Sequence, residues 1–219
     1  MVFAVRILNE YRPDDIPMLD WKSLTVGSPL LAALPGPARR VARLFEIPLH
    51  ASVFSQGDRP KAMFFVLSGE VRLVRRSRSG GEIILQRSRH GFLAEASLDH
   101  PLYHCDAVAA EPSSVLAIQR DAFRKALAVE DFRDKWIAHL ARELRRVRAH
   151  SERLSLRTAR ERVLHFIETE GERGTINLDQ SKKDWASELG LTHEALYRTL
   201  AKMEKRGELL VKHSRLTVR

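Results

Sequence analysis

The chain has 219 residues, and 37 Lys and Arg against 28 Asp and Glu give a formal charge of +9 at pH 7. Hydrophobic residues at 44% and charged residues at 30% are those of a globular protein of one large or two small domains, and they exclude wholesale disorder. A single cysteine, Cys105, excludes an intrachain disulfide, a four-cysteine zinc site and a cysteine-ligated iron–sulfur cluster of the four-iron type.

Residues 1–28 carry the breaker clusters Arg12-Pro13-Asp14-Asp15 and Gly27-Ser28-Pro29, and they read as an irregular or partly helical arm. A short helical stretch is expected over 37–45, with Val41, Leu44 and Phe45 on one face. Six β-type runs then follow at 49–54, 63–67, 71–76, 82–86, 105–109 and 114–118. Between them lie the turn clusters Gln56-Gly57-Asp58, Ser68-Gly69-Glu70, Ser79-Gly80-Gly81 and Glu111-Pro112-Ser113. Short strands with no helical period between them predict an antiparallel β-roll.

After Arg120 the pattern turns helical. Ile137, Leu140, Leu144, Val147, Ser151 and Leu154 recur at alternating spacings of three and four, the seam of a heptad repeat. Arg133, Lys135, Arg142, Arg145, Arg146, Arg148 and Arg153 flank it. A long helix with so narrow an apolar seam is expected to pair with its own copy, making the protein a homodimer.

Residues 157–219 read as short helices ending in a hairpin. Val163, Leu164, Phe166 and Ile167 form an apolar face before the break at 171–174. Ser181 caps one predicted helix, Gly190 turns the chain, and Thr192 caps the next. That second helix places Leu196, Leu200 and Met203 inside, with His193, Glu194, Tyr197, Arg198 and Lys202 outside. Strands at 209–212 and 215–218 complete a winged helix-turn-helix. The predicted fold is therefore α+β: a jelly-roll-like antiparallel roll over 29–130, a dimerisation helix over 131–156, and a winged helix-turn-helix over 157–219.

These segments together resemble the Crp/Fnr family of bacterial transcription regulators over roughly residues 28–219. The resemblance rests on Phe54-Ser55-Gln56-Gly57-Asp58 and on Phe65-Val66-Leu67-Ser68-Gly69-Glu70-Val71. Its most specific part is Gly190-Leu191-Thr192-His193-Glu194-Ala195-Leu196-Tyr197-Arg198. A pI near 10.1 agrees with a polyanionic partner. The implied protein is a homodimeric, sequence-specific binder of double-stranded DNA with a palindromic operator. By family analogy it acts as an activator through RNA polymerase.

Arg198 can present its guanidinium fork to O6 and N7 of guanine. Glu194 can accept from a cytosine amino group and hold Arg198 in register. His193 and Tyr197 lie beside them, and Ser181, Lys182, Thr192 and Lys202 are candidate phosphate contacts.

The effector pocket departs from the family pattern. Cyclic-nucleotide-binding relatives place a Gly-Glu pair before a short helix and an arginine ten residues later to neutralise the cyclic phosphate. Here those positions hold Ala94-Glu95, then Cys105 and Asp106. Without a cation, and with Asp106 repelling phosphate, cyclic AMP is not the expected effector. The candidate pocket residues are Glu95, His104, Cys105 and Asp106. Three alternatives stay open there: an empty pocket in a constitutive regulator, a metal or haem site using His100, His104 and Cys105, or a redox thiol at Cys105, with its pKa lowered by His104, or another small ligand.

Catalysis is not expected. The sequence has no P-loop, GxSxG, HExxH or paired-carboxylate motif, and His104 and Cys105 are neighbours in sequence that a dyad geometry would have to turn towards each other. The apolar runs fall short of the roughly 20 residues of a membrane helix, and residues 1–6 lack a signal-peptide start. A cytoplasmic protein with no membrane partner is the expectation.

Overall fold

The computed structural model describes residues 19–76 and 82–219. Two compact units meet inside one helix, the first ending at His139 and the second beginning at Leu140.

The first unit holds two four-stranded antiparallel sheets. Strands β1 (Arg43–Ile47), β3 (Ala62–Ser68), β6 (Gly91–Leu93) and β8 (Ser113–Gln119) form one, in the order β1-β8-β3-β6. Strands β2 (Ser52–Phe54), β4 (Val71–Arg76), β5 (Glu82–Ser88) and β7 (Asp106–Ala109) form the other, in the order β2-β7-β4-β5. Phe64, Val66, Leu93, Val115 and Ala117 of the first sheet share a core with Val53, Leu73, Ala107 and Ala109 of the second. The other face of the first sheet, through Met63, Phe65, Phe92, Leu116 and Ile118, packs on helices. These are α2 (Pro29–Ala32), α3 (Gly36–Arg40), α4 (Arg120–Ala126) and the start of α5 (Glu130–Ser155), which supplies Phe132 and Trp136. Burial on both faces is why residues 62–67 read as an unbroken apolar run rather than an alternation.

Several expectations need correction. The helical stretch over 37–45 is helix only at α3, and Arg43–Ile47 is strand β1, paired with β8 from Arg43↔Ala117 to Ile47↔Ser113. Leu44 is 36% exposed while Ile47 is buried, so the apolar residues there follow a strand period. The strand expected from 49 starts at Ser52, because His50 turns the chain at φ 65°. Strand β6 has three residues, too few for a periodic signal.

Of the arm, residues 1–18 lie outside the described part, as does the turn at 79–81. The rest of the arm is ordered locally. Asp20 caps α1 (Trp21–Leu24), and the Ser28 hydroxyl accepts the Leu31 N–H at 3.2 Å to open α2.

The turn between β3 and β4 admits only glycine. Gly69 has φ +77°, and a Cβ there would meet the Pro112 carbonyl oxygen and Ser113 Oγ at 2.4 Å. Gly69→Ala is expected to cost about 1–3 kcal/mol, strain that the packed roll cannot relax. Chemical denaturation checks this, and an unchanged midpoint contradicts it.

In the second unit, α6 (Ala159–Glu170) opens with a capping box between Thr158 and Glu161. Then follow β9 (Thr175–Asn177), α7 (Lys182–Glu188), α8 (His193–Lys205), β10 (Leu209–Lys212) and β11 (Arg215–Val218). The wing is three-stranded, order β10-β11-β9, because Arg215–Thr217 also pairs with Asn177–Thr175. Trp185, Leu189, Leu196, Leu200 and Met203 pack with Val163, Phe166 and Ile167 of α6. Between α7 and α8, Gly190 sits at φ +64° with Leu154 Cδ2 3.0 Å from where a Cβ would stand. Glycine therefore sets the closeness of that turn as well as its hand.

Candidate nucleic-acid interface and roll cavity

Helix α8 divides along its length. Leu196, Leu200 and Met203 are buried, while His193, Glu194, Tyr197, Arg198 and Lys202 are exposed. Thr192 caps it, its hydroxyl accepting the Ala195 N–H at 3.2 Å. Ser181 does the same for α7, accepting the Asp184 N–H at 3.1 Å and donating to Asp184 Oδ2 at 3.0 Å. Both hydroxyls are thus engaged in capping, so the expected phosphate contacts at Ser181 and Thr192 have less hydrogen-bonding capacity left than a free side chain.

Two of the exposed side chains and the half-buried Lys182 are assembled. The His193 and Tyr197 rings lie 4.5 Å apart, tilted by 57°. Lys182, at the start of α7, holds Nζ 5.3 Å from the Tyr197 ring centroid. Tyr197 is thereby fixed between two basic groups, one from each helix of the motif.

Glu194 does not hold Arg198. Its own backbone N–H and the Thr192 hydroxyl keep the Glu194 carboxyl below the usual carboxylate range, with His193 and Arg198 adding less. The carboxylate folds back onto the helix start, where the N-terminal dipole favours it. Among the described residues Arg198 has no ion-pair partner, and its guanidinium is open to solvent. Lys202, Lys205, Arg206, Lys212, His213 and Arg215 are exposed on the rest of α8 and on the wing.

On α5, Ile137, Leu140, Leu144, Val147 and Leu154 are 56%, 40%, 51%, 65% and 42% exposed, and Ser151 is exposed with them. Arg153, grouped by sequence with the basic flank, is instead 1% exposed. It lies over the Phe166 ring at 4.5 Å and donates to Thr169 Oγ1 at 3.0 Å. Glu170 Oε1 stands at 3.3 Å and Glu188 Oε1 at 4.0 Å.

The roll contains a cavity of about 160 Å³ lined by Phe54, Leu73 and Leu85 on its apolar side. Gln86, Glu95, Ser97, His104 and Cys105 supply its polar side, with no Lys or Arg among the lining. Ala94, at φ 71°, turns the chain into the short 3-10 helix Glu95–Ser97 and aims the Glu95 side chain. Glu95 Oε1 lies 3.0 Å from His139 Nε2 on α5, the two side chains being 10% and 12% exposed. His139 in turn packs against Trp136 and Phe92, with centroids 5.2 and 5.9 Å away. Sequence reading missed His139, because its partner is 44 residues away.

Of the four pocket candidates, Asp106 is not in the lining, for its Oδ1 accepts the Gln56 N–H at 2.7 Å. Arg75 donates from Nη2 to the His104 carbonyl oxygen at 2.9 Å. The thiol reading is also corrected. Burial raises the Cys105 pKa despite Arg75, and burial, with Arg75 and His100, pushes His104 down. A neutral His104 supplies no charge to stabilise a thiolate. The metal candidates His100, His104 and Cys105 do not converge, and among the described residues no three His, Cys, Asp or Glu side chains are grouped to hold a metal ion. His100 Nδ1 is instead 2.7 Å from the Leu102 carbonyl oxygen.

Residues 44–130, the roll with this cavity, match the cyclic nucleotide-binding domain family. Over 177 residues the chain is 28% identical to the nitrogen fixation regulation protein FixK of Bradyrhizobium diazoefficiens, covering 76% of this chain and 74% of that protein. The chain is thus similar to bacterial transcription regulators of the Crp/Fnr type. The solved structure of FixK2 from Bradyrhizobium japonicum has the same fold, with a TM-score of 0.63 at 24% identity over 82% of this chain and 93% of that one. A CRP-family transcriptional regulator from Thermus thermophilus shares it at TM-score 0.54 and 20% identity, covering 80% of this chain and 91% of that one. No helix among the described residues is long and apolar enough to cross a membrane.

Proposed function

We propose that the chain is a Crp/Fnr-family regulator that binds a palindromic operator in double-stranded DNA as a homodimer, with Arg198 reading a guanine in each half-site. The observation that carries the reading is the unpaired, exposed Arg198 on a helix anchored by Leu196, Leu200 and Met203. A planar fork with no ion-pair partner among the described residues is free to make the bidentate guanine contact. Lys182 and Lys202 add charge that sets position on the backbone rather than sequence. The exposed seam of α5 joins two copies, and two recognition helices about 34 Å apart meet successive major grooves. Its relatives are transcription regulators, and the work of this chain is likewise binding rather than catalysis. RNA polymerase is a partner by family analogy.

Arg198→Ala is expected to lose about 1–3 kcal/mol of discrimination at one guanine per half-site. Lys202→Ala, a backbone contact, weakens all sequences alike and lowers the salt slope by about one. Selection from a randomised duplex library checks both. A wild-type sequence preference in Arg198→Ala would sink the assignment.

A further inference from the structure

We infer that the roll cavity takes a small ligand without negative charge, which donates an N–H or O–H to Glu95 and displaces His139 from it. The inference rests on reading the chain as a transcription regulator, and it adds a ligand response, naming the ligand class and the link it acts through.

Size comes first. A cavity of about 160 Å³ is close to the roughly 150 Å³ void that accepts benzene, and a nucleotide is more than twice that content. Charge comes second. Glu95 is the acidic residue of the lining, and no Lys or Arg opposes it there. An anion entering beside Glu95 meets like charge. An ionised carboxylate only accepts hydrogen bonds, so its natural partner is a donor. Phe54, Leu73 and Leu85 then favour a flat or apolar body on that donor.

The link to the long helix comes third. One Glu95 oxygen is held by His139, and no described hydrogen bond engages the other. A donor that claims the carboxylate removes the polar tie between the 3-10 turn and α5. What remains of His139's packing is its contact with Trp136 and Phe92. Ligand binding and helix packing therefore compete for one side chain, which is the differential interaction a two-state response requires.

The test is calorimetric titration of the full chain with benzamidine, benzoate and cyclic AMP. Benzamidine and benzoate are nearly equal in size and shape and opposite in charge. Benzamidine is expected to bind, with benzoate weaker by about tenfold or more and cyclic AMP not binding. Glu95→Gln is expected to weaken benzamidine by about tenfold. His139→Ala is expected to tighten it several-fold, because the carboxylate then surrenders no partner; a merely structural His139 would not produce that gain. Benzoate binding as well as benzamidine, cyclic AMP binding, or benzamidine weakened in His139→Ala would each overturn the inference, the last holding even where Glu95→Gln fails to fold. Duplex selection on the same preparation separates the two readings. A recovered palindrome without benzamidine binding overturns the ligand class alone, whereas the absence of any motif overturns the regulator reading.

Discussion

Arg153→Ala is expected to lower the stability of the second unit by about 3–5 kcal/mol, the range for removing one partner of a buried ion pair. The guanidinium is 1% exposed and touches Thr169, Glu170, Glu188 and the Phe166 ring. Its loss leaves a void against Phe166 and two carboxylates facing one another across it. Since Glu188 belongs to α7, the change also loosens the first helix of the helix-turn-helix. Arg153→Met, which keeps most of the volume, is expected to lose less, because an apolar replacement of a buried charge avoids its desolvation. Scanning calorimetry would read both; an Arg153→Ala transition within about 0.5 kcal/mol of wild type would show the cluster to be surface-like.

The same cluster sets a pH response. Burial first, and then Arg153, holds His150 below its ordinary value of 6.5, against the pull of Glu188 and Glu170. Below pH 6.5 the unfolded chain takes up a proton at this position more readily than the folded one. The contribution is therefore fully present at neutral pH and is lost as the pH falls from 6.5 towards the depressed folded value. Unfolding curves at pH 7 and pH 5 should converge in part in His150→Gln; an unaltered pH slope would locate the response elsewhere.

Charging the α5 seam is the second large expected effect. Leu144 and Val147 are 51% and 65% exposed, so Leu144→Asp with Val147→Asp changes the single chain's stability by less than about 1 kcal/mol. In a homodimer the same two positions from each copy face one another, and four buried aspartates cannot be satisfied there. The pair of substitutions is expected to yield monomers by sedimentation. It is also expected to reduce affinity for a two-half-site operator by about 100-fold or more, since each half-site then binds alone. A stable dimer in the double variant would move the interface off this helix.

What could be read from the sequence was whatever local chemistry determines. The strands at 71–76 and 114–118 announce themselves by β-branched runs between turn residues, and the structure has them as β4 and β8, the latter one residue longer at each end. The helix-turn-helix is equally legible. Ser181, Gly190 and Thr192 are two caps and a left-handed turn, and each works through neighbours within a few residues. The spacing of Leu196, Leu200 and Met203 likewise sorts α8 into an inner and an outer face without reference to the rest of the chain.

The tertiary structure decided everything that depends on a partner far along the chain. Residues 43–47 have a pattern that a short helix could share, and only pairing with β8, some 70 residues on, makes them a strand. Arg153 belongs to a run of exposed arginines by sequence, yet Glu170, Glu188 and Phe166 draw it inside. Glu194 and Arg198 look like an intrahelical pair, but the helix start competes better for the carboxylate. Cys105, His104 and His100 are close in number, yet only Cys105 and His104 line the cavity, while His100 turns to the Leu102 carbonyl oxygen in the loop. Glu95 acquires its meaning only from His139. Sequence by itself determined periodicity, caps and turns, since those free energies arise within a few residues. Which buried charge meets which is a property of the closed fold, because an ion pair is stabilising only where the rest of the chain has removed the water around it.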